Sequence, residues 1–182
     1  MNKMKKIIFA TSNLNKLVEA RKLLPDFSIE NISLKIPELQ GNHKDVALAK
    51  IDYVSKYVKD AVFIEDTCLI FKAFKELPGP YIKDFIKNIG LRKLHLLLDA
   101  FPDKRAKCIC TIAYKEPGKD IMLFEGVVHG RIVNPKGSTR FDWDRIFMPN
   151  GYKKRFSEMT IEQKNKISHR KKAFQEFRCH FI

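Results

Sequence analysis

The 182-residue chain has little glycine or proline, eight of each, while apolar residues make up 45% of it and phenylalanine alone contributes 14. Collagen-like and disordered chains have the opposite make-up, so a packed globular protein remains. A chain of this length buries ~70% of its unfolded surface, enough for one domain or two closely joined lobes. Cysteine is scarce too. Cys68, Cys108, Cys110 and Cys179 fall in no zinc-binding spacing and in no dense disulfide framework, which leaves reduced thiols packed as small hydrophobes. Cys108 and Cys110 sit two apart in an alternating stretch and so share one strand face. No run approaches the ~18 apolar residues of a membrane-spanning helix. The basic start MNKMKK leads only into Ile7 to Ala10, shorter than the ~7–15-residue core of a secretory signal, and reads as the approach to a first strand in a cytoplasmic protein. Neither a GxxxxGK[ST] loop nor a GxGxxG loop occurs. Acids are the last shortage: 21 Asp and Glu stand against 35 Lys and Arg, a net charge of +14. The surplus favours an anionic partner, which charge alone leaves open among nucleic acid, a membrane surface and a phosphorylated small molecule.

What is present alternates between strand and helix. KKIIFAT reads as a buried strand, and NKLVEARKLL places Leu17, Ala20, Leu23 and Leu24 at helical spacing before Pro25 closes the helix. An extended stretch runs through Ile36. HKDVALAKIDYVSKYV then carries Val46, Ala49, Tyr53 and Tyr57 on one helical face, and AVFIED returns to strand, ending at Glu65-Asp66. After Pro80, YIKDFIKNI and GLRKLHLLLDAF read as two short helices divided at Gly90. RAKCICTIAYKE and DIMLFEGVVHGRIV alternate like antiparallel strands around the turn PGKD. Thr160 and Gln163 form a Thr-x-x-Gln capping box, and Phe174, Phe177 and Phe181 continue an apolar face. Either one helix runs through Ser168 or a second begins there, since Ser168 is itself an N-cap residue type. The fold expected is α/β, a mixed sheet flanked by helices, in two lobes with a cleft between them.

Five constellations carry chemistry, each beside a plainer reading. TSNLNK, Thr11 to Lys16, joins a buried strand to a helix, where backbone N–H groups, the helix dipole and Lys16 favour phosphate; an ordinary Ser/Asn cap is the alternative. Glu38 in PELQG and Glu65-Asp66 are carboxylates at strand ends, suited to Mg²⁺ and to a base for a metal-activated water, or else solvated acids. LPGPYIKDF fixes Tyr81 and Lys83 at a helix start by a rigid turn, or is simply structural. FDWDRIF sets Phe141 and Trp143 beside Asp142 and Asp144, a combination that stacks and reads a planar base, or else packs a core. Lys164, His169 and Arg170 group donors for carbonyl oxygens or phosphates, or form a solvated basic face.

In this order TSNLNK, PELQG, EDTCL, LPGPYIK, FDWD and SHR resemble the inosine triphosphate pyrophosphatase family, enzymes that remove non-standard purine nucleoside triphosphates. The match runs from about Thr11 to Arg170, which implies a single domain of that kind over 1–182 and an elongated α/β fold. The resemblance implies that Thr11, Ser12, Asn13 and Lys16 cradle phosphate, that Glu38 and Asp66 hold Mg²⁺, with Mn²⁺ as a substitute, and that Asp66 activates the water. Lys50 would reach the phosphates, Thr67 and Lys83 would contact nucleotide, and Phe141, Trp143, Asp144, Lys164, His169 and Arg170 would form the base pocket. It further implies a homodimer and cleavage of a nucleoside triphosphate to monophosphate and pyrophosphate. ITP, dITP and XTP would be the substrates, because a 6-oxo group accepts from His169 and Arg170 where adenine offers a donor.

The family's aromatic loop usually reads Phe-Gly-Trp-Asp-Pro, and here Asp142 and Arg145 stand where Gly and Pro would be. Gly permits backbone angles that Asp tolerates less well, and Pro stiffens a loop. Base selectivity is what this departure touches. Two other readings therefore stay open: a related pyrophosphatase for other modified or pyrimidine triphosphates, and a basic nucleic-acid-binding protein without catalysis. The carboxylates weigh against the second, since they repel a phosphate backbone unless a metal intervenes, and a small triphosphate outranks a polynucleotide.

Overall fold

Side-chain alternation in the first strand sets the layers. In β1 (Lys5–Ala10), Ile7 and Phe9 belong to one apolar cluster and Ala10 to another, against which Ile8 also packs; a two-residue period sends neighbours to opposite faces. The computed structural model describes residues 4–37, 39–138 and 141–181, so Glu38 lies outside the described residues. α1 (Leu14–Leu23) starts at Asn13, whose side chain accepts from the N–H groups of Asn15 and Lys16, and it ends just before Pro25, as expected. β2 (Phe27–Ile32) pairs parallel with β1.

α2 (His43–Ser55) buries Val46, as its spacing suggested, but ends before Tyr57 and turns other residues to the sheet. Ala47, Ile51 and Val54 fill the contact, while Tyr57 is 63% exposed. Tyr53 and Tyr57 pack ring to ring instead, with centroids 5.1 Å apart. The aliphatic side chains take the buried stripe because they fill it without stranding a hydroxyl.

β3 (Val62–Phe71) lies parallel to β1, with Ile8 opposite Val62 and Phe9 opposite Phe63. It does not stop at Glu65-Asp66 but continues through Thr67 to Phe71. The reason is the run Cys68 to Phe71, buried throughout, and its short partner β4 (Pro78–Gly79), which pairs antiparallel at Leu69 and Ile70. α3 (Ile82–Asp99) is interrupted at Gly90, with φ 76° and ψ 157°, where the sequence placed the division. β5 (Arg105–Lys115), β6 (Met122–Ile132) and β7 (Phe147–Pro149) complete the strands. Among the described residues the sheet is mixed and seven-stranded, in the order β2-β1-β3-β5-β6-β7 with β4 paired to β3. α4 (Ile161–Ile167) opens on the Thr160/Gln163 capping box, with both hydrogen bonds formed. Ser168 then ends α4, and its hydroxyl accepts from the Lys171 N–H at 3.1 Å to start α5 (His169–Cys179), so there are two helices.

The chain divides into two compact units, one of Met1–Asp66, Cys110–Gly126 and Lys172–Ile182, the other of Thr67–Ile109 and Val127–Lys171. In the first unit, α1, Phe174 and Phe177 join Ile7, Phe9, Phe63 and Tyr114 on one face of the sheet, and α2 covers the other. Phe177 is its densest point, with ring contacts to Phe27, Phe63, Tyr114, Phe124 and Phe181. In the second unit, Leu94 and Leu98 of α3 pack on Leu69, Phe71, Cys108, Phe147 and Phe156. Beside Phe156, Glu158 accepts from the Arg155 N–H at 3.0 Å and the Arg155 guanidinium at 2.8 Å, and pairs with Lys136 at 2.9 Å. These donors, the Arg155 N–H first, pull its carboxyl down to about 2.

Phe177→Ala is expected to cost about 3–5 kcal/mol of stability, the scale of a phenylalanine removed from a packed core, as read from urea unfolding. For Glu158 the folded carboxyl ionises below its ordinary 4.5. Its contribution is therefore complete above that value and is lost as pH falls toward about 2. The urea midpoint of the wild type should fall more steeply between about pH 5 and about pH 2.5 than that of Glu158→Gln; parallel curves would remove Glu158 from the acid response.

Candidate active site

The first unit gathers the phosphate-type residues around the loop after β1. Thr11 Oγ1 accepts from the Asn13 N–H at 3.1 Å, and Asn13 Oδ1 accepts from Asn15 and Lys16 at 3.0 and 3.2 Å. Both side chains thus shape the loop itself, while Ser12 stays exposed. Asn31, which the sequence did not single out, anchors the loop from β2: its Nδ2 donates to the main-chain oxygens of Phe9 at 3.0 Å and Thr11 at 2.9 Å. The only signal was an amide side chain within a strand. Lys16, one turn on, is only 5% exposed. Its Nζ donates to the main-chain oxygen of Glu65 at 3.0 Å and lies 2.9 Å from Glu65 Oε2.

Glu65 and Asp66 are neighbours in a strand, so their side chains leave on opposite faces. Glu65 shares the α1 face with Phe63, and Asp66 shares the α2 face with Val62 and Ile64. There Lys50, from α2, donates to Asp66 Oδ2 at 2.7 Å. The sequence treated the two acids as one carboxylate group; the strand separates them and gives each its own lysine. Among the described residues no three His, Cys, Asp or Glu side chains come together. Mg²⁺ needs no such cage, since it keeps several waters and takes one or two carboxylates plus substrate phosphates. Asp66, a hard oxygen donor with 21% of its side chain exposed, fits that requirement. Glu65, with none of its side chain exposed, does not.

The second unit gathers the base-type residues. A 3-10 turn, Asp142–Arg145, buries Trp143 and Asp144 and leaves Asp142 exposed. Lys164 of α4 forms a buried ion pair with Asp144 Oδ2. Its Nζ also lies 4.5 Å from the Phe141 ring centroid, and the Arg170 guanidinium carbon lies 4.8 Å from the same centroid. His169, buried beside them, packs between Trp143, centroid to centroid 5.2 Å, and Phe156, 6.1 Å. The break at Ser168 is what places Lys164 on one helix and His169 and Arg170 in the first turn of the next. Trp143 belongs to the apolar core of its unit. Thr67 is half-buried on β3, and Lys83 is exposed in the first turn of α3. The turn before Lys83 depends on Gly79: its φ is +57°, and a Cβ built there would lie 2.5 Å from the main-chain oxygen of Glu76, so only glycine fits.

A sequence model of the Ham1 family matches residues 7–180. The chain belongs to the Ham1 family. Among curated relatives it is similar to proteins named inosine triphosphate pyrophosphatase from Schizosaccharomyces pombe, 43% identical over 180 residues with 98% of this chain and 96% of that one covered, and from Scheffersomyces stipitis, 43% identical over 188 residues with 96% and 97% covered. Among solved structures, the Staphylococcus aureus Ham1 protein superposes with a TM-score of 0.86 at 25% identity, covering 97% of this chain and 98% of that one. A Mycobacterium abscessus structure titled nucleoside-triphosphatase / dITP/XTP pyrophosphatase gives 0.76 at 27% identity, covering 94% and 98%. The Ham1 fold thus agrees with the mixed α/β architecture expected from the motifs.

In this Ham1 chain, Lys164→Met removes the counter-charge that Lys164 supplies to buried Asp144. Loss of one partner of a buried pair costs about 3–5 kcal/mol, so the urea midpoint should drop accordingly. A change below about 1 kcal/mol, the worth of a surface pair, would show that Lys164 does not stabilise Asp144.

Proposed function

We propose that this chain is a metal-dependent nucleoside triphosphate pyrophosphatase that hydrolyses the non-standard purine triphosphates ITP, dITP and XTP to the monophosphate and pyrophosphate, keeping them out of RNA and DNA. One observation carries the reading. An acid and an ammonium, Asp66 and Lys50, stand 2.7 Å apart at the half-exposed end of a buried strand segment, in a chain 43% identical over nearly its whole length to proteins named inosine triphosphate pyrophosphatase.

In this reading Asp66 accepts a proton from the water that attacks the α-phosphorus. The bond from that phosphorus to the bridging oxygen breaks, and pyrophosphate leaves with the electron pair. Lys50 orients the Asp66 carboxylate before substrate arrives and shares its charge with the phosphates afterwards. Lys16 and Lys83 are further cations for the departing pyrophosphate. Asp66 and Glu38 are the residues that would hold Mg²⁺, or Mn²⁺ in its place; when bound, the ion offsets phosphate charge and makes water a better nucleophile. Thr67 contacts the nucleotide. Phe141 offers a ring to the base, and His169 and Arg170 donate to a 6-oxo group. Buried donors left facing the amino group of adenine would each cost about 1–3 kcal/mol, which is the basis of selection.

The same reading makes the protein a cytoplasmic homodimer. No helix among the described residues is long and apolar enough to cross a membrane, and light scattering at twice the 21.2 kDa chain mass is the result expected of the dimer. One observation favours a second reading: Asp142 is exposed where the family has glycine, and a carboxylate added to the aromatic loop suits other modified or pyrimidine triphosphates.

Pyrophosphate release from ITP, dITP, XTP, dUTP, GTP and ATP, with Mg²⁺ and with chelator, tests both. Release from the 6-oxo purines ITP, dITP and XTP that chelator abolishes is expected; preference for dUTP promotes the second reading, and no metal-dependent release from any of the six overturns the enzyme. Asp66→Asn should lower kcat by about 10²–10⁴, the usual range for a lost general base, while ITP binding by calorimetry stays near normal. Turnover close to wild type in that variant would reassign the base.

A further inference from the structure

Glu65 has no part in the mechanism above, yet it is wholly buried and engaged on both carboxylate oxygens. Oε2 lies 2.9 Å from Lys16 Nζ, and Oε1 accepts from the Cys110 thiol at 3.1 Å. Cys110 itself is fully buried on β5, on the face that carries Ile112 and Tyr114 and looks toward α1. A buried carboxylate is unfavourable unless it is paired and its remaining lone pairs are met. Here the thiol donates to one oxygen and the ammonium is an ion-pair contact of the other, so the carboxylate is engaged from two sides. Lys16 stands in the first turn of α1, directly after the Thr11 to Asn13 loop. Its ammonium is held twice, by the Glu65 main-chain oxygen at 3.0 Å and by the Glu65 carboxylate, and the second of these contacts follows from the donor on Cys110.

We propose that Cys110 is a positioning residue, which through Glu65 holds the Lys16 ammonium at the first loop for the incoming triphosphate. The proposal rests on Lys16 being a phosphate-binding cation. It separates Cys110 from Cys108, two residues earlier on the same strand face. Cys108 belongs to the apolar core of the other unit, and its thiol makes only a 3.7 Å contact to the main-chain oxygen of Val128. A thiol that merely fills space is replaceable by any small apolar side chain, whereas one that donates is replaceable only by another donor.

The test compares Cys110→Ala, Cys110→Ser and Cys108→Ala. Cys110→Ala should raise the KM for ITP about tenfold with kcat within about twofold, the scale of one lost hydrogen bond to a charged group. Cys110→Ser should stay within about twofold of wild type in both, and Cys108→Ala should leave KM unchanged. A second readout needs no turnover: acetylation of lysines by a small acyl donor, followed by peptide mass spectrometry. Lys16 should label slowly in the wild type and in Cys110→Ser, and at least about fivefold faster in Cys110→Ala, while exposed Lys22 on the same helix labels alike in all three. If Cys110→Ala does not fold, Cys110→Val, close in volume and without a donor, takes its place. Wild-type KM and wild-type Lys16 labelling in the donor-less variant overturn the proposal, and so does a Cys110→Ser variant as impaired as Cys110→Ala. If the wild type hydrolyses no triphosphate, the functional reading fails while the labelling still decides whether Cys110 holds Lys16.

Discussion

Two carboxylates side by side in one strand are the constraint around which the first unit is arranged. Glu65 and Asp66 would repel each other on a common face, and the two-residue period of β3 sends them apart. Each then requires a cation on its own side. α1 supplies Lys16 to one face and α2 supplies Lys50 to the other, which is possible only because the two helices cover opposite faces of the sheet. The same alternation puts Phe63 with the α1 cluster and Val62 and Ile64 with the α2 cluster. A slip of one residue in β3 would exchange these apolar side chains and reverse both ion pairs at once. Packing and charge therefore specify a single register, and neither alone has to be strong.

The second unit handles its charges differently. Asp144, Lys164, His169 and Arg170 are all buried, so part of the basic surplus points inward. Phe141 lies under two of these cations, the ammonium of Lys164 and the guanidinium of Arg170. An aromatic face attracts a cation, more strongly where water is excluded. Asp144 supplies the opposite charge from the adjoining turn. An aromatic ring, an acid and a helix corner at Ser168 thus allow an apolar core to hold cations.

Much of this was legible in the residues. The strand and helix order, the capping box at Thr160 and the break at Gly90 all follow from local chemistry, and local chemistry is what a sequence displays. Residues 65 and 66 show the limit. Their types suggested a carboxylate pair, but whether adjacent acids cooperate depends on the conformation of the chain through them, and the strand was expected to stop there. Its continuation is decided by the burial of Cys68 to Phe71 and by Leu69 and Ile70 pairing with β4, tertiary facts. Asn31 escaped notice, and Cys110 was read only as a small packed thiol, for a related reason. An amide in a strand and a thiol in an apolar run look ordinary until the loop beside one and the acid beside the other are in place. Tyr57 was misjudged because the helix ends at Ser55, before the apolar spacing reaches it. Glu38 falls outside the described residues, and its part in the site rests on the motif PELQG alone.

Gly79 has a consequence at the level of the gene. Every amino acid that a single-base change can reach from a glycine codon carries a Cβ, and at this position a Cβ meets the Glu76 main-chain oxygen, at 2.5 Å. Backbone cannot swing aside as a flexible side chain can. Position 79 therefore has no mild missense neighbours: at this codon only silent changes leave the turn before Lys83 as it is.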